Sequence, residues 1–173
     1  MEQLKVNNVT NGLTIGLFII YLIALCWILL FKLGVQFSYM QERRTNLIPF
    51  NESLILRSEN ILNLVIFVPL GIYTGILFKK WLFGKKVFFV IILSLLVEGL
   101  EYILRLGAFD ITDIITNSLG GVIGLMIFNG LKKVFSDHLK AQRFINKIAA
   151  TGTAFMILLL VLLKMNMLPV RYQ

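Results

Sequence analysis

The fold is decided by residues 86–131, which read KVFFVIILSLLVEGLEYILRLGAFDITDIITNSLGGVIGLMIFNGL. Two apolar runs, 86–106 and 111–131, each match the roughly 20 residues that a helix needs to cross a bilayer. Only a few residues separate the two runs, around Gly107 and Ala108. The stretch therefore predicts a tight hairpin of two membrane-spanning helices.

The rest of the chain has the same apolar character. Of its 173 residues, 58% are hydrophobic and 15% are charged, and the mean hydropathy is +0.84. A soluble domain has about 45–50% hydrophobic and about 25% charged residues, so that class is excluded. Three further runs of spanning length lie at 13–33, 60–78 and 148–168. The sequence predicts an all-α integral membrane bundle of about five transmembrane helices, a single domain over 1–173 in which no internal repeat is evident.

The distribution of Lys and Arg predicts how these helices are oriented, because basic loops remain in the cytoplasm. One side carries the N-terminus and the loops 79–86 and 132–147, and it holds ten of the 17 basic residues and two of the nine acidic ones. We expect this side, with the N-terminus, in the cytoplasm and the C-terminus outside. The first run is too long for the core of a signal peptide, so we expect it to be retained as a span. The net charge of +8 then faces anionic lipid, and we expect no nucleic-acid partner.

The third span places Ser94, Glu98, Glu101 and Arg105 within an arc of about 60°. Ionisable residues inside a membrane usually face the bundle interior or a water-filled cavity, so this face indicates a functional site. Glu98 is the strongest candidate, because burial of a lone acid needs a reason. Glu101 and Arg105 also fit a structural ion pair between residues i and i+4.

Polar and small residues share one face on the second and fourth spans as well, where small residues let helices approach closely. Asp110 and Asp113, at the start of the fourth span, fit helix capping as well as a binding site. We therefore expect a central three-helix bundle with a polar pocket that opens outward. The residues on these faces are Asn60, Asn63, Gly71 and Thr74 in the second span and Asp113, Asn117, Gly120, Gly121 and Gly124 in the fourth.

Residues 41–53, QERRTNLIPFNES, join the first two spans and are too apolar for a solvated linker. We expect an interfacial or re-entrant segment that lies over the pocket. Arg43 and Arg44 either bring positive charge to the pocket or form a solvated pair. The chain has one cysteine and one histidine, so we expect no metal site and no cofactor. The histidine, His138, is interpreted as an exposed loop imidazole.

Three motifs give the chain a family resemblance. NLIPF at 46–50, NILNLVIFVPLG at 60–71 and, after Glu98, FDITDIITNSLG at 109–120 are together similar to the VanZ-like membrane proteins of bacteria. The resemblance covers about 46–128, which forms the family core between the flanking spans 13–33 and 148–168. The sequence departs from the family pattern at Glu101, where Gln is frequent, and at Thr112, where a second Asp is frequent. By resemblance the family's polar positions fall on Asn46, Pro49, Asn63, Pro69, Gly71, Glu98, Asp110, Asp113, Asn117 and Gly120.

The resemblance implies a place in the bacterial cytoplasmic membrane and, from the member that names the family, resistance to the lipoglycopeptide teicoplanin. As a binding protein, the chain would hold an envelope lipid, a lipid-linked cell-wall precursor or the acyl tail of a lipoglycopeptide. As an intramembrane hydrolase or transferase of an envelope lipid, it would use Glu98 and Asp113 as acid and base, although no catalytic signature motif is present. A small proton-coupled carrier is a third class. The residues predicted to bind ligand are Arg43, Arg44, Asn46, Asn63, Glu98, Glu101, Arg105, Asp110, Asp113 and Asn117.

Overall fold

A computed structural model describes residues 2–31, 44–50 and 58–164 of the chain. Within these ranges the chain is an α-helical bundle with one short two-stranded ribbon, so the predicted all-α class is confirmed. The elements in chain order are α1 (Glu2–Phe31), β1 (Thr45–Asn46), α2 (Ser58–Leu77), α3 (Phe83–Leu104), β2 (Phe109–Asp110), α4 (Ile111–Val134) and α5 (His138–Lys164).

Four of these helices are long and apolar enough to cross a membrane, namely Val9–Leu29 within α1 and the whole of α2, α3 and α4. A helix satisfies its own backbone hydrogen bonds, so it can cross the bilayer without exposing polar backbone to lipid. The protein is therefore a multi-pass membrane protein. The fifth predicted span, 148–168, lies within α5 as far as Lys164, and its last residues fall outside the described ranges.

The closest helix pair is α2 and α4, which run parallel. Asn63 meets Asp113 near the start of both helices, and Gly75 meets Phe128 near their ends. Between these points the backbones themselves touch, because a Cβ on Gly120 would overlap the carbonyl oxygen of Leu64. The same holds for Gly71 against Gly121 and for Gly124 against Val68. The predicted packing role of these glycines is confirmed.

The predicted hairpin of α3 and α4 is also confirmed. Arg105 ends α3 in the left-handed conformation, with φ 58° and ψ 32°, and α4 begins at Ile111. The connection carries β2, which pairs in parallel with β1 through Thr45–Phe109 and Asn46–Asp110. The described part of the segment predicted at 41–53 is therefore fixed to the hairpin, while 41–43 and 51–53 lie outside the described residues.

The beginning of α5 corrects the predicted loop at 132–147, because the helix already starts at His138. Ile145 of this first part is buried in a core that α5 shares with α1, α2 and α4. Gln142 and Asn146, one turn apart, both donate a side-chain hydrogen bond to the hydroxyl of Thr14 on α1, at 2.7 and 2.9 Å. This contact between α1 and α5 is polar, and its two i,i+4 amides are the sequence signal that would have predicted a helix there.

The interpretation of His138 as an exposed imidazole is wrong. The ring is half-buried and packs edge-on against Phe128, with 5.2 Å between the ring centroids. Burial, and after it the nearby Lys79 and Lys132, lowers the pKa of His138 to about 4. The imidazole is therefore neutral at physiological pH.

Candidate functional site

A cavity of about 300 Å³ lies among α1, α2, α3 and α4, at the end of the bundle where α2 and α4 begin. One part of its wall is acidic and polar, and the other part is aliphatic. The polar lining residues are Glu59, Asn63, Glu98, Glu101 and Asp113, and the aliphatic ones are Ile28, Leu29, Leu62 and Ile66.

Glu98 is the most deeply buried carboxyl of the cavity, with 2% of its surface exposed. Its Oε2 accepts a hydrogen bond from the backbone N–H of Asp110 at 3.3 Å. Asp110 is the N-cap of α4, because its Oδ1 accepts from the N–H of Thr112 at 2.7 Å. Its other oxygen accepts from Nδ2 of Asn46 at 3.0 Å. Asn46 and Asp110 thus lie behind the cavity and fix the start of α4, which in turn holds Glu98.

Asp113 joins the two parallel helices at the cavity wall. Its Oδ1 accepts a hydrogen bond from Nδ2 of Asn63 at 2.8 Å. Asp113 stands in the first turn of α4, where the backbone dipole and free N–H groups stabilise a negative charge. The side chain is therefore held from two sides, by α2 and by its own helix.

Glu101 lies one turn beyond Glu98 on α3 and is 8% exposed. Its carboxylate packs against Gly107 of the hairpin, where a Cβ would crowd Oε2. Glu59 adds a further acid from the first turn of α2. Sequence analysis missed Glu59, because the predicted second span begins only at residue 60. It also missed the aliphatic lining residues of α1 and α2, because nothing in an apolar run shows which side faces a cavity.

The predicted arginines are placed differently from the acids. Arg105 is exposed and takes the left-handed conformation, so the i,i+4 spacing no longer aligns it with Glu101 on one helix face. Arg44 is exposed, and it contacts the hairpin through its backbone carbonyl, which accepts from the N–H of Phe109 at 3.0 Å. Arg43 lies outside the described residues. The described lining residues thus include acids and one amide, and no Lys or Arg.

Among the predicted site residues that the structure describes, Asn117 alone is completely buried, at 0% exposure, and it does not line the cavity. Within the described part of the chain, neither its Oδ1 nor its Nδ2 has a hydrogen-bond partner. Ser94 on α3 is also 0% exposed, and its hydroxyl is unpartnered in the same way.

Chemically, the cavity offers hydrogen-bond acceptors beside an aliphatic surface. Carboxylates from α3 and α4 can accept hydrogen bonds from a ligand or exchange protons with it. Among the described residues, no three His, Cys, Asp or Glu side chains are arranged to hold a metal ion. The arrangement suits a molecule that is polar at one end and apolar at the other.

The model of the VanZ/LLP1 family matches residues 18–134 of the chain, a longer stretch than the motifs alone indicate. Protein VanZ of Enterococcus faecium is 39% identical over 150 residues, which cover 84% of this chain and 89% of that protein. No solved structure is significantly similar.

Proposed function

The chain belongs to the VanZ/LLP1 family of membrane proteins, and we propose from this that it binds an amphiphilic molecule of the cell envelope in the cavity. The bound molecule is an envelope lipid, a lipid-linked cell-wall precursor or the acyl tail of a lipoglycopeptide. Binding contributes to teicoplanin-type resistance or to maintenance of the bacterial envelope.

The observation that carries the proposal is the two-part wall of the cavity. Leu62 of the aliphatic part is 59% exposed, so the apolar surface continues from the cavity to the lipid-facing side of α2. A hydrocarbon chain can enter there from the bilayer while its polar end meets Glu98 and Asp113. Each buried methylene contributes about 0.8 kcal/mol, so five of them supply about 4 kcal/mol of binding free energy.

The size of the cavity limits what it holds. Small-molecule sites measure about 300–1,000 Å³, and this cavity of about 300 Å³ is at the lower end. It accommodates a head group or part of a chain and excludes the body of a glycopeptide. Recognition of such a drug therefore concerns its acyl tail.

The resistance test uses Glu98→Gln and Asp113→Asn, with Leu96→Ala as the control on the lipid-facing side of α3, where Leu96 is 56% exposed. We expect both acid variants to lower teicoplanin resistance in cells with equal protein levels, and the control to leave it unchanged. Vancomycin, which lacks the acyl tail, should be affected little. Equal changes for the two drugs would refute recognition of the tail.

We also propose that the cavity opens to the cell exterior. Lys79 and Lys80 in the α2–α3 connection and the lysines in the last turn of α4, Lys132 and Lys133, lie at the opposite end of the helices, and such basic residues mark the cytoplasmic side. In a Cys26→Ser background, a membrane-impermeant thiol reagent should label Glu59→Cys in intact cells. It should label Lys80→Cys only after permeabilisation. The reverse result would invert the orientation and remove the cavity from the outer leaflet.

The second candidate function is hydrolysis or group transfer on an envelope lipid, with Glu98 and Asp113 as acid and base. It is favoured by the presence of two carboxyls from different helices on one cavity wall. Turnover of a lipid extract by the purified protein, abolished in Glu98→Gln, would distinguish this function from binding.

A further inference from the structure

Two fully buried side chains at the α3–α4 interface have unmet hydrogen-bonding capacity. Ser94 Oγ and both amide atoms of Asn117 are unpartnered among the described residues, although each residue is 0% exposed. Buried polar groups in folded proteins are nearly always hydrogen-bonded, so each exception requires an explanation.

The helix register places these two side chains at one level. Val90 on α3 contacts Gly121 on α4, and about two turns further along α3 Glu98 accepts a hydrogen bond from the backbone of Asp110. Because α3 and α4 are antiparallel, Ser94 and Asn117 lie between these two contacts. Ser94 precedes Glu98 by one turn and Asn117 follows Asp113 by one turn, so both lie one turn deeper than the carboxyls of the cavity.

Packing alone does not explain these residues. An unpaired buried donor or acceptor costs free energy, whereas an apolar side chain of the same shape at the same place costs none. Leu at 117 and Ala at 94 would therefore pack at least as favourably. Residues that reduce stability and make no compensating contact within the fold are typical of binding sites.

The chemistry of the pair defines what it binds. The Asn117 amide both donates and accepts hydrogen bonds, and the Ser94 hydroxyl does the same. A neutral hydroxyl or amide group satisfies both side chains. A phosphate or an ammonium group would lose its hydration at this depth without a counter-charge from either residue.

We propose that Ser94 and Asn117 form a second, uncharged subsite below Glu98 and Asp113, which binds a hydroxyl or amide group of the ligand. This subsite rests on the proposed binding function. It specifies in addition that the inner end of the ligand is polar and uncharged. The bound molecule then carries its hydroxyl or amide group beyond the carboxyls, on the side away from the α3–α4 hairpin.

The experiment measures the rise in melting temperature of the purified protein that monolauroylglycerol produces, with dodecyltrimethylammonium as a probe of the same chain length without hydroxyl or amide. The variants are Asn117→Leu and Ser94→Ala. Thr74→Val on α2 is the matched control, because the Thr74 hydroxyl is also 0% exposed and unpartnered among the described residues. It lies 11 residues beyond Asn63, towards the other end of α2.

We expect monolauroylglycerol to bind Asn117→Leu about tenfold more weakly than the wild type, because the variant loses one or two neutral hydrogen bonds. Ser94→Ala, which removes only a hydroxyl, should lose a smaller part of the affinity. Without ligand, both variants should melt at or above the wild-type temperature. Thr74→Val should match them without ligand and keep the wild-type affinity.

Wild-type affinity in both subsite variants, together with weakened binding in Glu98→Gln, would refute the subsite and leave the proposed function in place. That result would mean that water alone satisfies the two side chains. A stronger response to dodecyltrimethylammonium than to monolauroylglycerol would also refute an uncharged subsite. If neither probe stabilises the wild type and Glu98→Gln is without effect, the proposed function itself fails.

Discussion

Replacing Gly120 by Ala tests whether backbone contact between α2 and α4 holds the site together. The added Cβ would overlap the carbonyl oxygen of Leu64, which is backbone and cannot rotate away, so the two helices must separate. Gly130→Ala in the same helix is the control, because a Cβ there meets no atom within 4 Å. Both substitutions gain about 0.5–1 kcal/mol of helix propensity, so the difference between them isolates the steric cost.

That cost is at the upper end of the usual range for overpacking, about 3 kcal/mol, since the obstructing atom is rigid. A gap of about 0.5–1 Å between packed surfaces already removes a quarter to a half of their dispersion energy. For a chain of this size, 1 kcal/mol shifts the melting temperature by about 2–4 °C. We therefore expect Gly120→Ala to melt about 6–12 °C below Gly130→Ala in the same detergent.

The same separation should weaken ligand binding, because it moves Asn63 on α2 away from Asp113 on α4. Thermal unfolding, monitored by circular dichroism, measures the loss of stability. The resistance assay measures the loss of ligand binding independently. Equal melting temperatures of Gly120→Ala and Gly130→Ala would show that α2 and α4 are not in backbone contact. The account of the cavity wall would then be wrong.

Three further outcomes follow from individual contacts. Asp110→Ala removes the N-cap of α4 and should lower the free energy of unfolding by about 1 kcal/mol. Asp110→Asn, which can still cap the helix, should keep most of this stabilisation. Thr14→Val removes the hydroxyl that binds Gln142 and Asn146, so the melting temperature should fall; an unchanged value would contradict the α1–α5 contact. Because the pKa of His138 is about 4 in the folded protein, against 6.5 ordinarily, acid protonates the unfolded chain first. Stability should decline as the pH falls from 6.5 to 4, and His138→Phe should decline less.

The sequence predicts those features of the fold that depend on local pattern. Run length and apolarity predict the helices, and the Gly120 and Gly124 spacing predicts a close helix contact. The acids of the third span predict a polar face, and capping, one of the two roles that the sequence leaves open for Asp110, is confirmed. Each of these depends on residues within one contiguous stretch of the chain, so it can be seen directly in the sequence.

Features that depend on distant residues are not predicted. The ribbon of β1 and β2 pairs residues 64 positions apart and has only two residues in each strand, too few for a periodic pattern. Arg105 is exposed because α3 ends there in the left-handed conformation. A helical-wheel projection assumes that the helix continues through this residue, so it does not predict the exposure. That Ser94 and Asn117 have no hydrogen-bond partner among the described residues can be recognised only from the structure.

Two contacts between α2 and α4 join residues at the same spacing along the chain. Asn63 bonds Asp113 and Gly71 touches Gly121, and both pairs are 50 residues apart. Each helix follows one strand of the parallel ribbon, but 11 residues separate Asn46 from Ser58 whereas none separates Asp110 from Ile111. The two pairs share this spacing because α2 and α4 run side by side in parallel, which sets Asn63 and Asp113 at one level.

The Asn63–Asp113 hydrogen bond makes a prediction about exchanging the two side chains. Asn63→Asp alone removes the amide donor and sets two carboxylates about one hydrogen-bond length apart, so stability should fall. Adding Asp113→Asn restores an amide opposite a carboxylate with the donor on the other helix. The double variant should regain most of the lost melting temperature, with a coupling free energy of about 0.5–3 kcal/mol in the double-mutant cycle. Strictly additive losses would mean that the two side chains do not interact. Recovered stability with lost resistance would show that the ligand requires the carboxylate on α4.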